Sequence, residues 1–101
     1  MKAAMFVAAI SITISAPALA STHYVGQELA SKARISIVKA RAIALHARAG
    51  AITDQELEKE AGGSGLRYSF DIKSRGKTFE VGVDAKTGRV LENQAEGKNP
   101  D

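Results

Sequence analysis

The side chains best suited to chemistry in this chain are two histidines and a row of carboxylates. His23 and His46 lie far apart, and neither has a second ligand at the i+3 or i+4 spacing typical of a metal pair. Four acidic residues occupy alternate positions along one segment: Asp54, Glu56, Glu58 and Glu60. On a strand they would share one face, because side chains alternate with a period of two. That face is a candidate for weak cation binding, although a solvated strand surface is the ordinary interpretation.

Catalytic groups are not brought together by any motif in the sequence. Serine, histidine and aspartate all occur, but no motif places a nucleophile on a tight turn or beside a base. A chain of 101 residues also has little material with which to enclose a substrate pocket. We therefore predict a protein that is not an enzyme, with no catalytic residues, no cofactor and no metal site.

Residues 1–20 have the features of a secretory signal peptide. Lys2 is followed by an uncharged apolar run, and Ala18-Leu19-Ala20 forms a small-residue cleavage site. We expect cleavage after Ala20, which would leave no membrane anchor. The run is shorter than a transmembrane helix requires and includes three hydroxyl side chains. The chain contains no cysteine, so neither a lipid anchor nor a disulfide is expected, and the protein should be periplasmic or secreted.

The charge of the chain argues against nucleic acid as a partner. Without Lys2 there are 13 basic and 11 acidic residues, and they are interleaved rather than clustered. Nucleic-acid binding needs a concentrated basic face, usually with stacking aromatic residues. We predict that the protein does not bind nucleic acid.

A helix is predicted from Ser36, a favourable N-cap, to Ala49, with Gly50 at its C-terminal end. On a helical wheel one arc is the expected buried stripe, formed by Ile37, Ala40, Ile43, Ala44 and Ala47. A second apolar arc lies on the opposite side, formed by Val38, Ala42, Leu45 and Ala49, which we call the outer arc. Arg41 and Arg48 separate the arcs on one edge, and Lys39 and His46 separate them on the other.

Two explanations of the outer arc remain open. It could receive residues 24–33, a mixed segment that is either a linker or a short helix. Alternatively, it forms part of a partner-binding surface, for which the candidate residues are Val38, Leu45, Arg41 and Arg48.

Residues 53–61 are ambiguous from local rules. Thr53 and Glu56 have the spacing of a capping box, and Gly62-Gly63 follows, which slightly favours a short helix. As a strand, the same segment would present Leu57 as its one strongly apolar side chain on one face.

Three later segments are predicted as strands. Residues 66–73 and 79–83 alternate strictly, and the short stretch 74–77 between them contains Gly76, as a hairpin turn requires. A turn over residues 84–88 leads to a last strand over residues 89–92, with Val90 pointing inward. From Asn93 the tail is polar and expected to fray.

The order of these elements resembles the PepSY domain. The resemblance covers residues 35–92 and is most specific in the closing stretch, Lys77-Thr78-Phe79-Glu80-Val81-Gly82-Val83-Asp84-Ala85-Lys86-Thr87-Gly88-Arg89-Val90-Leu91. Ile35-Ser36-Ile37 with Ala40, Ile43 and Ala44, then Leu57-Glu58, and Tyr68-Ser69-Phe70-Asp71-Ile72 also match. In that family the segment after the helix is the first strand of the sheet, so the resemblance implies a strand at residues 53–60.

The resemblance implies an α+β fold in which one main helix packs on an antiparallel sheet of three to four strands. We expect a signal peptide over residues 1–20, a linker or short helix over 21–34, the domain over 35–93 and a flexible tail over 94–101. PepSY modules resemble non-catalytic propeptide or inhibitor domains. The expected function is therefore binding of a protein partner, such as a peptidase, with a periplasmic sensor of a small ligand or metal ion as the alternative.

Overall fold

The computed structural model describes residues 23–97, so the predicted signal peptide lies outside the described residues. The elements in chain order are a 3-10 helix (Gln27–Lys32), α1 (Ile37–Ala47), β1 (Ala51–Lys59), β2 (Leu66–Ser74), β3 (Lys77–Asp84) and β4 (Val90–Ala95). Within this part of the chain no helix is long and apolar enough to cross a membrane.

The four strands form one antiparallel sheet in the order β1-β2-β3-β4, and α1 packs on one face of it. The strict alternation in β2 produces this arrangement, because Leu66, Tyr68, Phe70 and Ile72 all point towards the helix and are buried. Val81 and Val83 of β3 lie opposite Phe70 and Tyr68 and complete the buried layer. The α+β fold expected from the sequence is confirmed.

The predicted N-cap of α1 is confirmed, but the predicted C-terminal end is wrong. The Ser36 hydroxyl oxygen accepts a hydrogen bond from the Lys39 backbone N–H at 3.1 Å. The helix ends at Ala47, and Arg48 leaves it with extended φ and ψ of −144° and 101°. Gly50 has a different role, because a Cβ there would clash with the Lys73 carbonyl oxygen, so glycine permits close approach to β2.

The local preference for a helix at residues 53–61 is wrong, and the strand implied by the family resemblance is confirmed. Leu57 is 1% exposed and lies opposite Tyr68 in the sheet, where it contributes to the core. Pairing along the whole of β2 outweighs a local capping signal, because intrinsic propensities are weak compared with tertiary packing. The register shifts between Ile52 and Asp54, which allows both Ile52 and Leu57 to face the helix.

Both predicted turns are present. Arg75 and Gly76 join β2 to β3 with positive φ values of 53° and 78°, the conformation of a tight two-residue hairpin. Asp84 closes the next turn: one carboxylate oxygen accepts the backbone N–H groups of Lys86 and Thr87, and its backbone carbonyl accepts that of Gly88. Burial opposes ionisation of Asp84, but these bonds and those from Ser64 outweigh it and hold its pKa well below the usual range.

The last strand was predicted too short, and its inward-facing valine is only partly covered. β4 runs to Ala95, three residues beyond the expected end, and includes the start of the predicted tail. Val90 lies opposite the buried Val83, on the same side of the sheet as α1 as predicted, but it stays 38% exposed. Residues 98–101 lie outside the described part of the chain.

The segment before α1 packs along β1 and does not cover the outer arc. The Leu57 backbone N–H donates to the Val25 carbonyl at 2.8 Å, forming a single parallel bridge to the edge of β1. Gly26 makes this possible, because its φ is +87° and a Cβ there would overlap the Leu57 carbonyl oxygen. Tyr24 and Leu29 then pack against the core. The sequence interpretation in which residues 24–33 receive the outer arc is therefore wrong.

Candidate protein-binding surface

The outer arc lies on the solvent side of α1. Val38 is 67% exposed and Leu45 is 37% exposed, and Ala42 and Ala49 are also exposed. On the opposite side of the helix Ala40 and Ala44 are completely buried, since their small side chains let the helix approach the sheet closely. The two-faced pattern on the wheel therefore separates a core face from a free apolar face.

Arg41 and Arg48 flank the arc but reach towards the sheet. The Arg41 Nε donates to the Gln55 side-chain oxygen of β1 at 2.8 Å. The Arg48 guanidinium carbon lies 3.8 Å from the centroid of the Phe79 ring, and its Nε donates to the Asn93 side-chain oxygen at 3.1 Å. Both arginines attach the helix to the sheet, so of the four candidate residues Val38 and Leu45 are the ones that present free apolar side chains.

An apolar hollow of about 360 Å³ lies between the helix and the open edge of the sheet. Six residues of α1 and β4 line it: Lys39, Ala42, Ile43, His46, Ala47 and Val90. Ala42 belongs to both the hollow and the outer arc, so the two features form one continuous surface. The hollow was not predicted from the sequence, because only the structure shows that Val90, on the inner face, is left partly uncovered beside α1.

A second, basic hollow of about 530 Å³ lies at the end of the β2–β3 hairpin. Its lining includes three cationic side chains, Arg48, Arg75 and Lys77, beside the Phe79 ring. Ala47 lines this hollow and the apolar one, so both open near the C-terminal end of α1.

The two edges of the sheet differ. At β1 the bridge to Val25 and the adjoining 3-10 helix cover part of the edge. β4 is last in the strand order, and its residues Val90, Asn93, Gln94 and Ala95 are exposed. An edge strand with free backbone groups can accept an extended peptide from a partner. The open edge lies beside the apolar hollow, since Val90 belongs to both.

The face of the sheet turned away from α1 carries most of the carboxylates, and we call it the outer sheet face. They come from all four strands and the residue after β4: Asp54, Glu56, Glu58, Asp71, Glu80, Glu92 and Glu96. Burial and neighbouring carboxylates raise the pKa of Glu56 and of Glu80, and burial followed by Glu96 raises the pKa of Asp71 to about 6.

Arg67 lies in the middle of the outer sheet face. Its NH1 group is 3.7 Å from Glu60 and 3.5 Å from Glu92, and its NH2 group donates to the Ala61 carbonyl. The side chain runs over Gly82, where a Cβ would lie 3.0 Å from the Arg67 Cδ. Arg67 therefore offsets part of the negative charge within the face.

The geometry does not favour the candidate cation site on the acidic strand. Within residues 23–97, no group of three or more histidine, cysteine, aspartate or glutamate side chains has an arrangement that could hold a metal ion. Glu58 instead accepts a hydrogen bond from the Ser69 hydroxyl at 2.7 Å. His46 lies at the rim of the apolar hollow, on the opposite side of the sheet from these carboxylates.

A comparison with protein-family models matches residues 34–93 to the PepSY model, described as the peptidase propeptide and YPEB domain. The match covers more than half of the chain and includes α1 and the sheet as far as Asn93. No curated protein and no solved structure matches the chain at a comparable level of significance.

Proposed function

The chain belongs to the PepSY family, and from that premise we propose that it is an exported, non-catalytic protein-binding module that modulates a secreted or periplasmic peptidase. The family description, peptidase propeptide, supports this class of partner. Export is supported by the sequence of residues 1–20, with cleavage after Ala20 releasing a protein without a membrane anchor.

The single observation that carries the proposal is the exposure of the outer arc. Val38 of α1 is 67% exposed, whereas the large aliphatic side chains of β2 and β3 are buried. A patch of apolar side chains left in solvent beside a hollow is typical of a protein-interaction site. The side chains of Val38 and Leu45 are the expected anchors, and the open edge of β4 offers backbone groups next to them.

Capture of the partner tests the proposal. The exported protein, immobilised through a C-terminal tag, is incubated with the periplasm or culture medium of its own source, and captured peptidases are assayed with and without added protein. We expect the wild type to capture a peptidase and change its activity. The double variant Val38→Asp/Leu45→Asp should lose at least nine-tenths of the capture, because charge placed at an anchor opposes burial.

Two controls make this result decisive. Val25→Asp introduces one such carboxylate at a 70% exposed valine near β1, away from the arc, and this variant should capture the partner normally. Circular dichroism must show that the double variant is folded, since both side chains lie outside the core. Undiminished capture by the folded double variant would reject the arc as the binding surface. Calorimetric binding of calcium, magnesium or zinc would instead favour the sensor.

A further inference from the structure

We infer that the partner surface recognised by the outer arc is a segment of a protein in which carboxylates surround one or two large apolar side chains. This inference rests on the proposed function and adds the chemistry of the partner. It is carried by the distribution of charge between the two layers of the molecule and by the shape of the apolar hollow.

The helix side of the molecule carries mainly positive charge, whereas the outer sheet face carries mainly negative charge. Between residues 29 and 53 the chain has five cationic residues and no carboxylate, the cations being Lys32, Arg34, Lys39, Arg41 and Arg48. This stretch forms the end of the 3-10 helix, α1 and the start of β1. The outer sheet face carries the carboxylates of four strands. An acidic partner is therefore attracted to the helix side and repelled by the sheet side, which selects one orientation of approach.

One exposed cation lines the apolar hollow, and another directly precedes a lining residue in the chain. Lys39 lies at the rim of the hollow and is exposed, and Arg89 directly precedes Val90 and is also exposed. Among residues 23–97 the ion pairs are those of Arg67 with Glu60 and Glu92, so neither Lys39 nor Arg89 has a carboxylate partner there. Exposed lysines at the rim of an apolar patch supply charge complementarity while the centre supplies burial.

The shape of the surface favours a protein segment over a lipid headgroup layer. The apolar hollow is a shallow depression of about 360 Å³ between Ala42, Ile43 and Val90, against which an apolar side chain of a partner can pack. Helices that lie in a membrane interface usually present a long apolar face with Trp, Phe or Leu. α1 spans 11 residues, and its exposed apolar side chains are Val38, Leu45 and alanines.

Designed peptides test the inference directly. Three peptides share leucine at the i, i+3, i+4 and i+7 positions and differ in having glutamate, glutamine or lysine at the remaining polar positions. Each is titrated into the ¹⁵N-labelled exported protein and followed by NMR. We expect the glutamate peptide to bind at least tenfold more tightly than the glutamine peptide at low salt, with a smaller difference at high salt. The shifted amides should be those around Val38, Ala42, Leu45 and Val90.

Charge-reversal variants provide the matched comparison. The double variant Lys39→Glu/Arg89→Glu should bind the glutamate peptide at least tenfold more weakly than the wild type does, and it should bind the lysine peptide more tightly. Lys73→Glu/Lys77→Glu, which reverses two exposed charges on the β2–β3 hairpin, should change either affinity by less than threefold.

Three results would overturn the inference. If the glutamine and glutamate peptides bound the arc with equal affinity, negative charge on the partner would not contribute to recognition. The arc would still be a protein-binding surface. Absence of shifts at the arc with all three peptides would reject this partner chemistry, and capture of a peptidase through Val38 and Leu45 would still stand. Tighter binding to vesicles of anionic phospholipid than to the glutamate peptide would assign the surface to a lipid partner.

Discussion

Asp71 of β2 stands directly opposite Glu80 of β3, so two carboxylates occupy one cross-strand position at the centre of the outer sheet face. Asp71 also pairs with Asp54 on the other side. Like charges placed opposite one another destabilise a sheet. The native domain therefore keeps an arrangement that costs stability. Separately, burial first, and then Glu96 and Asp54, raise the pKa of Asp71 to about 6.

Neutralising Asp71 should stabilise the domain at neutral pH. Because the folded-state pKa of about 6 lies above the ordinary aspartate pKa, the associated stability is present below about pH 4 and is lost as the pH rises through 6. Asp71→Asn should raise the melting temperature at pH 7.5 by a few degrees, equivalent to about 0.5–1 kcal/mol. Thermal unfolding at pH 7.5 and pH 4 measures the effect, which should nearly vanish at the lower pH. Glu28→Gln, on the 3-10 helix, is the charge-matched control, and a destabilised Asp71→Asn at pH 7.5 would contradict the argument.

Asp84 should have the opposite pH dependence. Its lowered pKa means that its contribution is present above about pH 4 and is lost as the pH falls towards the folded-state value. Asp84→Asn places an amide donor among the N–H groups of Ser64, Lys86 and Thr87, which should lower the free energy of unfolding at pH 7 by about 2–3 kcal/mol. Urea unfolding at pH 7 and pH 3 measures the effect: the difference in free energy of unfolding between the variant and the wild type should be smaller at pH 3. An unchanged difference would mean that ionisation of Asp84 does not stabilise the turn.

Gly26 and Gly65 form a matched pair for the N-terminal segment. Both have φ of +87°, but a Cβ at Gly26 would overlap the Leu57 carbonyl, whereas a Cβ at Gly65 meets nothing within 4 Å. Gly65→Ala should lower the free energy of unfolding by about 1 kcal/mol, through backbone strain alone. Gly26→Ala should lower the free energy of unfolding by at least about 2 kcal/mol more than Gly65→Ala does, because the bridge to β1 must open. Hydrogen exchange should then show a less protected Leu57 amide. Equal losses in the two variants would show that the contact does not matter.

Two leucines distinguish the outer arc from the core. Leu57 is 1% exposed and Leu45 is 37% exposed. Leu57→Ala should destabilise the domain by about 2–4 kcal/mol through lost burial and a cavity, whereas Leu45→Ala should cost less than about 1 kcal/mol. Denaturant unfolding of both variants under one set of conditions gives the comparison. A large loss for Leu45→Ala would place it in the core and remove it from the binding surface.

The sequence was sufficient where one local signal and one packing requirement agreed. Ser36 is a good cap immediately before a helical stripe, and β2 alternates without interruption, so both were predicted correctly. The conflict at residues 53–61 could not be resolved locally, because Leu57 belongs in a strand only when β2 is present to pair with it. Recognition of the family supplied that missing long-range information.

The candidate surface was predicted only in part, because its surroundings also depend on contacts between residues that are distant in sequence. A helical wheel identifies Val38 and Leu45 as apolar and opposite the core, but it cannot show that residues 24–33 pack at β1 instead. It also cannot show that Arg41 and Arg48 reach the sheet, since their partners Gln55 and Asn93 are distant in sequence. Alternation correctly placed Val90 on the inner face, opposite Val83, but it could not show that the side chain stays 38% exposed there.

The strand order β1-β2-β3-β4 bears on how fast the domain folds. Every strand pairs with its neighbour along the chain, so each hairpin closes a short loop, and such topologies fold faster than those dominated by distant pairings. One long-range connection joins the ends: the Arg34 and Ile35 N–H groups both donate to the Ala85 carbonyl. Because this connection closes a much longer loop than the hairpins do, we expect it to form after the strands have paired.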